Sequence, residues 1–313
     1  MSIMKKQKNI VILGPTSGGK SDLAVKIARK FNGEIISADS RQVYKNMDIG
    51  SGKITKKEML DVPHYLLGVA SPKRTFTVSQ YQKLAKKALA KIAKKGRPPI
   101  ICGGTGLYID SVIYDYKFPK APPNQKLRQK LEKLKTEKLF QKLQKLDSLR
   151  AKNIDCHNRR RLIRALEIVL TTKKPVPPLI SVNQRNNPHE SATAAVLKIG
   201  IKKSPDELKK KIEKRLYKRL EQKMTEEIKN LHKSGLSWKK LDSFGLEYRF
   251  ISRYLRGLIS RQEMIELILK ESYKYAKRQM TWFKRDKNIY WLDPDNKKDL
   301  KKIFALCRNF LGL

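Results

Sequence analysis

The sequence of 313 residues has few cysteines, histidines and acidic side chains. Its three cysteines are far apart and odd in number, which argues against a disulfide framework and is typical of a reducing cytosol. The four histidines are also scattered, so no Cys/His cluster has the spacing of a zinc site. A run of about 18 apolar residues, as a membrane span needs, does not occur, and the apolar stretch after the N-terminus is too short for a secretory signal. The composition therefore predicts a cytoplasmic protein with no membrane span.

Acidic residues are far outnumbered by basic ones. Lys and Arg total 71 against 29 Asp and Glu, which gives a formal net charge of +42. Such an excess repels itself unless a polyanion is nearby, and each phosphate contact with a nucleic acid releases a counterion. Nucleic acid is therefore the favoured partner, while a lysine-rich proteome is an alternative explanation that the sequence leaves open. The hydrophobic fraction of 40% is enough for a sizeable core.

The first third of the chain has the pattern of an α/β fold. Short apolar segments at 10–13, 34–38 and 98–102 are typical of buried strands. Between them lie helical patterns, the clearest of which covers 79–95 and ends at Gly96. Strands that alternate with helices predict a parallel sheet.

The middle of the chain changes character. A lysine-rich amphipathic segment at 125–146 and an arginine-rich one at 158–170 both predict helices. The segment 171–190 is rich in Pro, Asn and Lys and is interpreted as a loop or linker. We therefore expect a helical insertion at 119–193 between a core of residues 1–118 and its completion at 194–313.

The last third returns to the core pattern. A strand is predicted at 194–201, followed by a capping box at Ser204 with Pro205 at the first helical position. An apolar stripe from Leu208 to Leu231 then predicts core-facing helix. A further helix at 261–281 and a short strand at 289–292 follow it.

The most specific motif lies directly after the first predicted strand. It fits the P-loop pattern G-x-x-x-x-G-K-[ST], whose backbone N–H groups converge on phosphate oxygens at the start of a helix. The lysine neutralises phosphate charge and the final hydroxyl is a ligand for Mg²⁺. The motif predicts a diphosphate or triphosphate ligand and does not specify ATP. Its residues are Gly14, Pro15, Thr16, Ser17, Gly18, Gly19, Lys20 and Ser21.

Two further segments follow predicted strands. Asp39 comes just after the second strand, where a carboxylate serves as a magnesium ligand, a general base or a turn cap. Gly103-Gly104-Thr105-Gly106 follows the third strand and so belongs to the same edge of the sheet as the P-loop. In open α/β sheets that edge is where ligands bind.

Together these segments resemble the tRNA dimethylallyltransferase family, also called tRNA isopentenyltransferases. The resemblance implies a P-loop NTPase-like core with a helical insertion that contacts the anticodon stem-loop. It also implies that dimethylallyl diphosphate donates its five-carbon group to N6 of the adenine on the 3′ side of the anticodon. The matching segments are GPTSGGKS at 14–21, ISADSRQVYKNMDIGSGK at 36–53, VPHYLLGV at 62–69, GGTGLYI at 103–109, RRLIRALEI at 160–168, GLEYRFISRYLRG at 245–257 and YAKRQMTWFKRD at 275–286.

The resemblance also implies roles for individual residues. Asp39 matches the family's general base, and Thr105 matches a threonine near the target base and the departing phosphate. Lys20, Ser21 and Mg²⁺ are expected to stabilise the diphosphate, which Arg249 also reaches. The positions that match tRNA contacts are Asp39, Ser40, Arg41, Gln42, Thr105, Arg128, Arg160, Arg161, Leu162, Ile163, Arg164, Lys277, Arg278 and Gln279.

Three other functions fit parts of the sequence. A P-loop kinase would place Asp39 on a metal ion and transfer a phosphoryl group. An isopentenyltransferase that acts on free AMP or ADP would not need the basic insertion. A non-catalytic RNA-binding protein would use the P-loop as a switch. A monomer is expected, and the chain does not reveal which tRNAs it would modify.

Overall fold

The computed structural model describes residues 7–178 and 194–313. The chain forms two compact units, one of residues 115–189 and the other of residues 1–114 and 190–313. The insertion predicted at 119–193 includes residues 179–193, which lie outside the described residues. Within the described residues, no helix is both long and apolar enough to cross a bilayer.

The larger unit is built on a six-stranded sheet in which every pairing is parallel, so the predicted α/β fold is confirmed. The five predicted strands are all present. A sixth, of two residues, was missed because it is too short to show a pattern. The strands are β1 (Gln7–Leu13), β2 (Glu34–Ser37), β3 (His64–Tyr65), β4 (Pro99–Gly103), β5 (Ala194–Ile201) and β6 (Ile289–Leu292), in the order β3-β2-β4-β1-β5-β6.

The central strand β1 is buried on both faces. Val11 belongs to one hydrophobic cluster, whereas Ile10 and Ile12 belong to the cluster on the opposite face, and all three are fully buried. This is the pattern of a parallel sheet covered by helices on both sides. Leu13 at the end of β1 is paired with Gly103 at the end of β4. The loops that follow these two strands therefore leave the sheet at the same edge.

Helices of the larger unit cover the sheet and complete its core. The apolar stripe predicted from Leu208 to Leu231 is buried as expected, but it is divided between two helices at Lys223, whose φ is +67°. The helices are α1 (Lys20–Phe31), α2 (Lys56–Met59), α3 (Val78–Lys94), α4 (Gly106–Ile113), α9 (Pro205–Glu221), α10 (Met224–Lys233), α11 (Trp238–Asp242), α12 (Leu246–Leu255), α13 (Arg261–Phe283) and α14 (Lys297–Leu311).

The smaller unit contains four described helices around its own apolar core. The prediction of a single helix at 125–146 is wrong, because the chain turns between Glu132 and Thr136 and forms two helices. The Arg159 guanidinium donates to the Glu132 carbonyl, which satisfies one of the groups left open where the first helix ends. The turn lets both halves pack against the arginine-rich helix. The helices are α5 (Gln125–Glu132), α6 (Thr136–Leu146), α7 (Ser148–Lys152) and α8 (Arg159–Thr172).

Candidate active site

The P-loop leaves β1 and turns into the N-terminus of α1. The Gly18 N–H donates to the Pro15 carbonyl oxygen at 3.2 Å. Gly19 has a φ of +89°, a backbone conformation that residues with a Cβ rarely adopt. The Lys20 ammonium donates to the same Pro15 carbonyl at 2.6 Å, and burial lowers the pKa of Lys20 to about 8. The loop is therefore preformed, with its lysine folded over it.

A cavity of about 540 Å³ opens beside the P-loop. Residues 16–22 form one wall, whereas Gly14 and Pro15 form the base of the loop behind it. Asp39, Gln42 and most of the segment 48–55 form another wall, and the end of β4 at 102–104 closes the floor. The P-loop and Asp39 thus share one cavity, as predicted from the strand ends.

Asp39 is held by the backbone that follows it. Its Oδ1 accepts from the N–H groups of Arg41 at 2.7 Å and Gln42 at 3.3 Å, so the carboxylate closes a tight turn. Within the described part of the chain, no hydrogen bond to its second oxygen is present. Asp39 is therefore a turn cap that also presents a carboxylate oxygen to the cavity.

Thr105 lies beside Asp39, behind the cavity wall. Its Oγ1 accepts from the Ser40 N–H at 3.1 Å, and its own N–H donates to the Ala38 carbonyl at 3.1 Å. This approach requires Gly103, because a Cβ there would lie 2.2 Å from the Ala38 carbonyl oxygen. Among the described residues that line the cavity, Thr105 is not included.

Gln279 joins the two loops. Its Oε1 accepts from the Thr16 N–H at 2.8 Å, and its Nε2 donates to the Gly104 carbonyl at 2.8 Å. The side chain is buried, so the amide is engaged with the backbone and is not on the RNA-facing surface predicted for it. Lys277 and Arg278, from the same predicted segment, are exposed.

One face of α9 lines the cavity with cations that sequence analysis missed. Arg215 and Arg219 point into it, and Lys211, Lys214 and Lys218 follow at helical spacing. Burial, and next the nearby Arg219, lower the pKa of Arg215 to about 9. The signal was present as basic residues on the face opposite the apolar stripe, but the stripe alone was interpreted.

Arg249 lies outside the cavity in which we expect the diphosphate. Its Nε donates to the Asp242 carbonyl at 3.1 Å, and it is not one of the described residues that line the cavity. The forked donors in the cavity are Arg215 and Arg219 instead. Of the predicted neighbours of Asp39, Gln42 lines the cavity and donates to the Gly52 carbonyl at 3.0 Å.

The smaller unit separates the predicted RNA contacts into three groups. Leu162 and Ile163 are in its hydrophobic core, so their side chains are not available to RNA, which corrects that part of the prediction. Arg160 and Arg161 are exposed on α8. Arg128 and Arg164 are half-exposed, and both pair with the buried carboxylate of Glu167.

The Glu167 carboxylate is buried and accepts hydrogen bonds from both arginines. Arg128 donates to it through Nε at 2.8 Å and Nη2 at 2.7 Å, and Arg164 donates through Nη1 at 2.5 Å. The Asn124 N–H adds a fourth bond at 2.7 Å. Although Glu167 is buried, these donors hold its pKa below the usual range. The Arg128 pair thus fixes α5 against α8, whereas Arg164 lies on α8 itself and also donates to the Ala121 carbonyl before α5.

Fold and cavity together define a P-loop α/β protein whose site is built to receive a phosphorylated ligand next to a carboxylate. The model of the IPP transferase family matches residues 42–286. The chain belongs to this family, that of the tRNA dimethylallyltransferases.

Individual relatives agree over nearly the whole chain. The tRNA dimethylallyltransferase of Acetivibrio thermocellus is 39% identical over 307 residues, which cover 97% of each chain. Among solved structures, the tRNA isopentenylpyrophosphate transferase of Bacillus halodurans is 33% identical with a TM-score of 0.72, covering 98% of this chain and 97% of that one. A eukaryotic dimethylallyltransferase acting on tRNA is 24% identical, with a TM-score of 0.79, and the match covers 98% of this chain and 80% of that one. This likeness supports the fold.

Proposed function

We propose that the protein transfers the dimethylallyl group of dimethylallyl diphosphate to N6 of the adenine on the 3′ side of the anticodon in tRNA. The products are N6-isopentenyladenosine and diphosphate. The observation that carries the proposal is one cavity that the P-loop, two arginines and Asp39 line together. Relatives that cover the chain from end to end are named for this activity.

The P-loop side holds the leaving group. As the bond between C1 of the donor and the diphosphate oxygen breaks, its electron pair stays on the diphosphate. Lys20, Arg215 and the N-terminus of α1 are positive and already in place there, so they stabilise that charge without reorganising. The same groups would hold a nucleoside triphosphate in a kinase, so ATP is a necessary control in any test of the activity.

The Asp39 side receives the adenine. An exocyclic adenine amine is a weak nucleophile because its lone pair is delocalised into the ring. Asp39 accepts the N6 proton as the new C–N bond forms, a contribution of roughly 10² to 10⁴ in rate. Its Oδ1 is fixed by the turn, so the carboxylate does not need to be ordered when the base arrives.

Mg²⁺ is proposed as the cofactor, and the residues present fit it. Ser21 lies at the start of α1 on the cavity wall, and Mg²⁺ commonly takes one protein oxygen together with substrate phosphates and water. No cluster of three acidic, histidine or cysteine ligands is present among the described residues, so the ion would depend on the diphosphate for most of its shell. When bound it neutralises diphosphate charge.

The RNA contacts are proposed for exposed cations. Arg160 and Arg161 on α8, with Lys277 and Arg278 on α13, are free to meet phosphates of the anticodon stem-loop. Arg128 contributes by holding α8 in place through Glu167, and Arg164 contributes through its bond to the Ala121 carbonyl. We propose that the protein acts as a monomer on one tRNA.

Mass spectrometry of nucleosides from tRNA tests the proposal directly. Purified protein is incubated with unmodified tRNA and dimethylallyl diphosphate, and N6-isopentenyladenosine is expected only when both are present. Parallel reactions contain AMP in place of tRNA, or labelled ATP in place of the donor. Prenylated AMP without prenylated tRNA, or productive phosphoryl transfer from ATP, would contradict it.

A further inference from the structure

The cavity wall at residues 48–55 is held in place by a carboxylate from another part of the chain. Glu227, in the first turn of α10, is half-buried and accepts from three consecutive backbone N–H groups of that wall. Its Oε2 accepts from Asp48 at 2.8 Å and from Ile49 at 2.7 Å, and its Oε1 accepts from Gly50 at 3.0 Å. Successive N–H groups that converge on one anion hold it tightly, so Glu227 fixes the wall to α10.

Tyr248 on α12 adds a second contact to the same point of the wall. Its hydroxyl donates to Glu227 Oε1 at 2.9 Å, so the carboxylate accepts four hydrogen bonds within the described part of the chain. The Tyr248 ring is buried against Gly50, where a Cβ would lie 2.7 Å from the ring carbon Cζ. Gly50 is therefore fixed both by the ring and by the bond from its N–H to the carboxylate.

The wall in turn contacts Arg219, a buried arginine that also lines the cavity. The Gly50 carbonyl accepts a long bond of 3.5 Å from Arg219 Nη1, which also donates to Glu247 at 3.1 Å. Gly52 lies so close to the guanidinium that a Cβ there would overlap Arg219 Nη2. The position of this guanidinium therefore depends on where residues 50–52 lie.

We propose that Glu227 is a positioning residue: it fixes the wall, and the wall sets the Arg219 guanidinium in the diphosphate site. This inference rests on the proposed function. Positive groups that are already in place stabilise the charge of a diphosphate without reorganising. Glu227 is not among the described residues that line the cavity, so it acts on the ligand only through the wall.

Glu227→Gln tests the first step, because it keeps the size of the side chain and replaces one accepting oxygen by an NH₂ group. At least one backbone N–H of the wall then loses its acceptor. Affinity for inorganic pyrophosphate, measured by calorimetry, should fall about three- to tenfold, while affinity for tRNA stays within about twofold. Glu226→Gln removes the same charge from the same helical turn at an exposed site, so it is the matched control and should bind pyrophosphate like the wild type.

Gly52→Ala tests the second step without changing Glu227. The added Cβ requires the Arg219 guanidinium to move, so pyrophosphate affinity should fall by at least about threefold, as for a lost hydrogen bond to a charged group. Gly96→Ala is the matched control. Gly52 and Gly96 have φ values of +62° and +66°, so both variants carry similar backbone strain, but a Cβ at Gly96 meets no described atom within 4 Å.

A double-mutant cycle separates positioning from a general effect on the fold. Because Glu227 acts through Arg219, Glu227→Gln should change pyrophosphate affinity by less than about twofold when Arg219→Met is already present. A residue that only stabilises the fold would cause the same loss in both backgrounds. Such additive losses, or an unchanged affinity in Glu227→Gln or Gly52→Ala, would overturn the inference. A wild type that binds pyrophosphate but leaves tRNA unprenylated would instead refute the proposed function.

Discussion

At the scale of single residues, Asp39 shows what a motif does and does not reveal. Its place after the second strand was predictable, because an acidic residue directly after an apolar run is visible in the sequence. Three interpretations were left open there: metal ligand, general base and turn cap. The structure confirms the cap, since Oδ1 accepts two backbone N–H groups, and the second oxygen remains for chemistry.

Asp39→Asn is expected to separate folding from catalysis. The amide oxygen still accepts from the Arg41 and Gln42 N–H groups, so the turn and the melting temperature should be kept. Removing the base should lower the single-turnover rate by roughly 10² to 10⁴ while tRNA affinity is unchanged. Asp61→Asn, at an exposed site, serves as the control. Unchanged turnover would remove Asp39 from the mechanism.

Asp110 carries a charge that the fold disfavours. Burial raises its pKa from 3.8 to about 6, although the Trp282 indole N–H donates to it at 2.8 Å. The folded protein therefore holds a proton that the unfolded chain has lost between about pH 4 and 6, and stability falls as pH rises through that window.

Asp110→Asn should remove this dependence. The amide oxygen still accepts from Trp282, and nothing ionises. The difference in unfolding free energy between variant and wild type should grow from pH 4 to 7 by about 1–2 kcal/mol after solvent screening. Urea denaturation at several pH values measures it. A difference that is constant with pH would show that Asp110 ionises normally.

At the scale of elements, α9 has two faces with separate tasks, and the sequence showed only one of them clearly. Its apolar stripe follows from spacing alone. The basic face was not recognised as part of the site, because basic residues opposite an apolar stripe are usually solvated. What makes Arg215 and Arg219 different is that the segment 48–55 and the P-loop close over them, which no local pattern encodes.

Arg215→Met should raise stability and lower function. Arg215 and Arg219 repel each other in a desolvated wall, so removing one guanidinium relieves a cost and should raise the melting temperature. The same change removes a forked donor from the proposed diphosphate site, so pyrophosphate affinity should fall by at least tenfold. Differential scanning fluorimetry and calorimetry follow the two effects.

Lys218→Met is a matched control for that experiment. This side chain is exposed on the same face of α9, where water already solvates it. Smaller changes in both melting temperature and pyrophosphate affinity are therefore expected. A drop in stability for Arg215→Met would show that the protein itself stabilises the guanidinium, and would contradict the view that it is available to bind a ligand.

At the scale of the whole molecule, the net charge of +42 predicts strong electrostatic attraction to an RNA substrate. The class of the fold was predictable from strand and helix patterns, and the family from motifs spread over the chain. The strand order and the cavity were not, because they depend on contacts between segments far apart in the chain, such as β1 with β5 and Thr16 with Gln279.

Binding of tRNA should weaken steeply with salt. If four to six phosphates are contacted, the logarithm of the association constant should fall with the logarithm of salt concentration with a slope of about −3 to −5. Arg160→Ala and Arg161→Ala should each make the slope shallower by about 0.7–0.9. Lys301→Ala, an exposed cation with no proposed contact, should leave it unchanged. A flat response would contradict the charge argument.

The bridge that Gln279 makes between the Thr16 N–H and the Gly104 carbonyl joins the P-loop to the segment that follows β4. Because one amide holds both segments, we expect a ligand bound at one of them to change the affinity for a ligand at the other. Reciprocity then requires that whatever factor pyrophosphate applies to RNA affinity, RNA applies to pyrophosphate affinity.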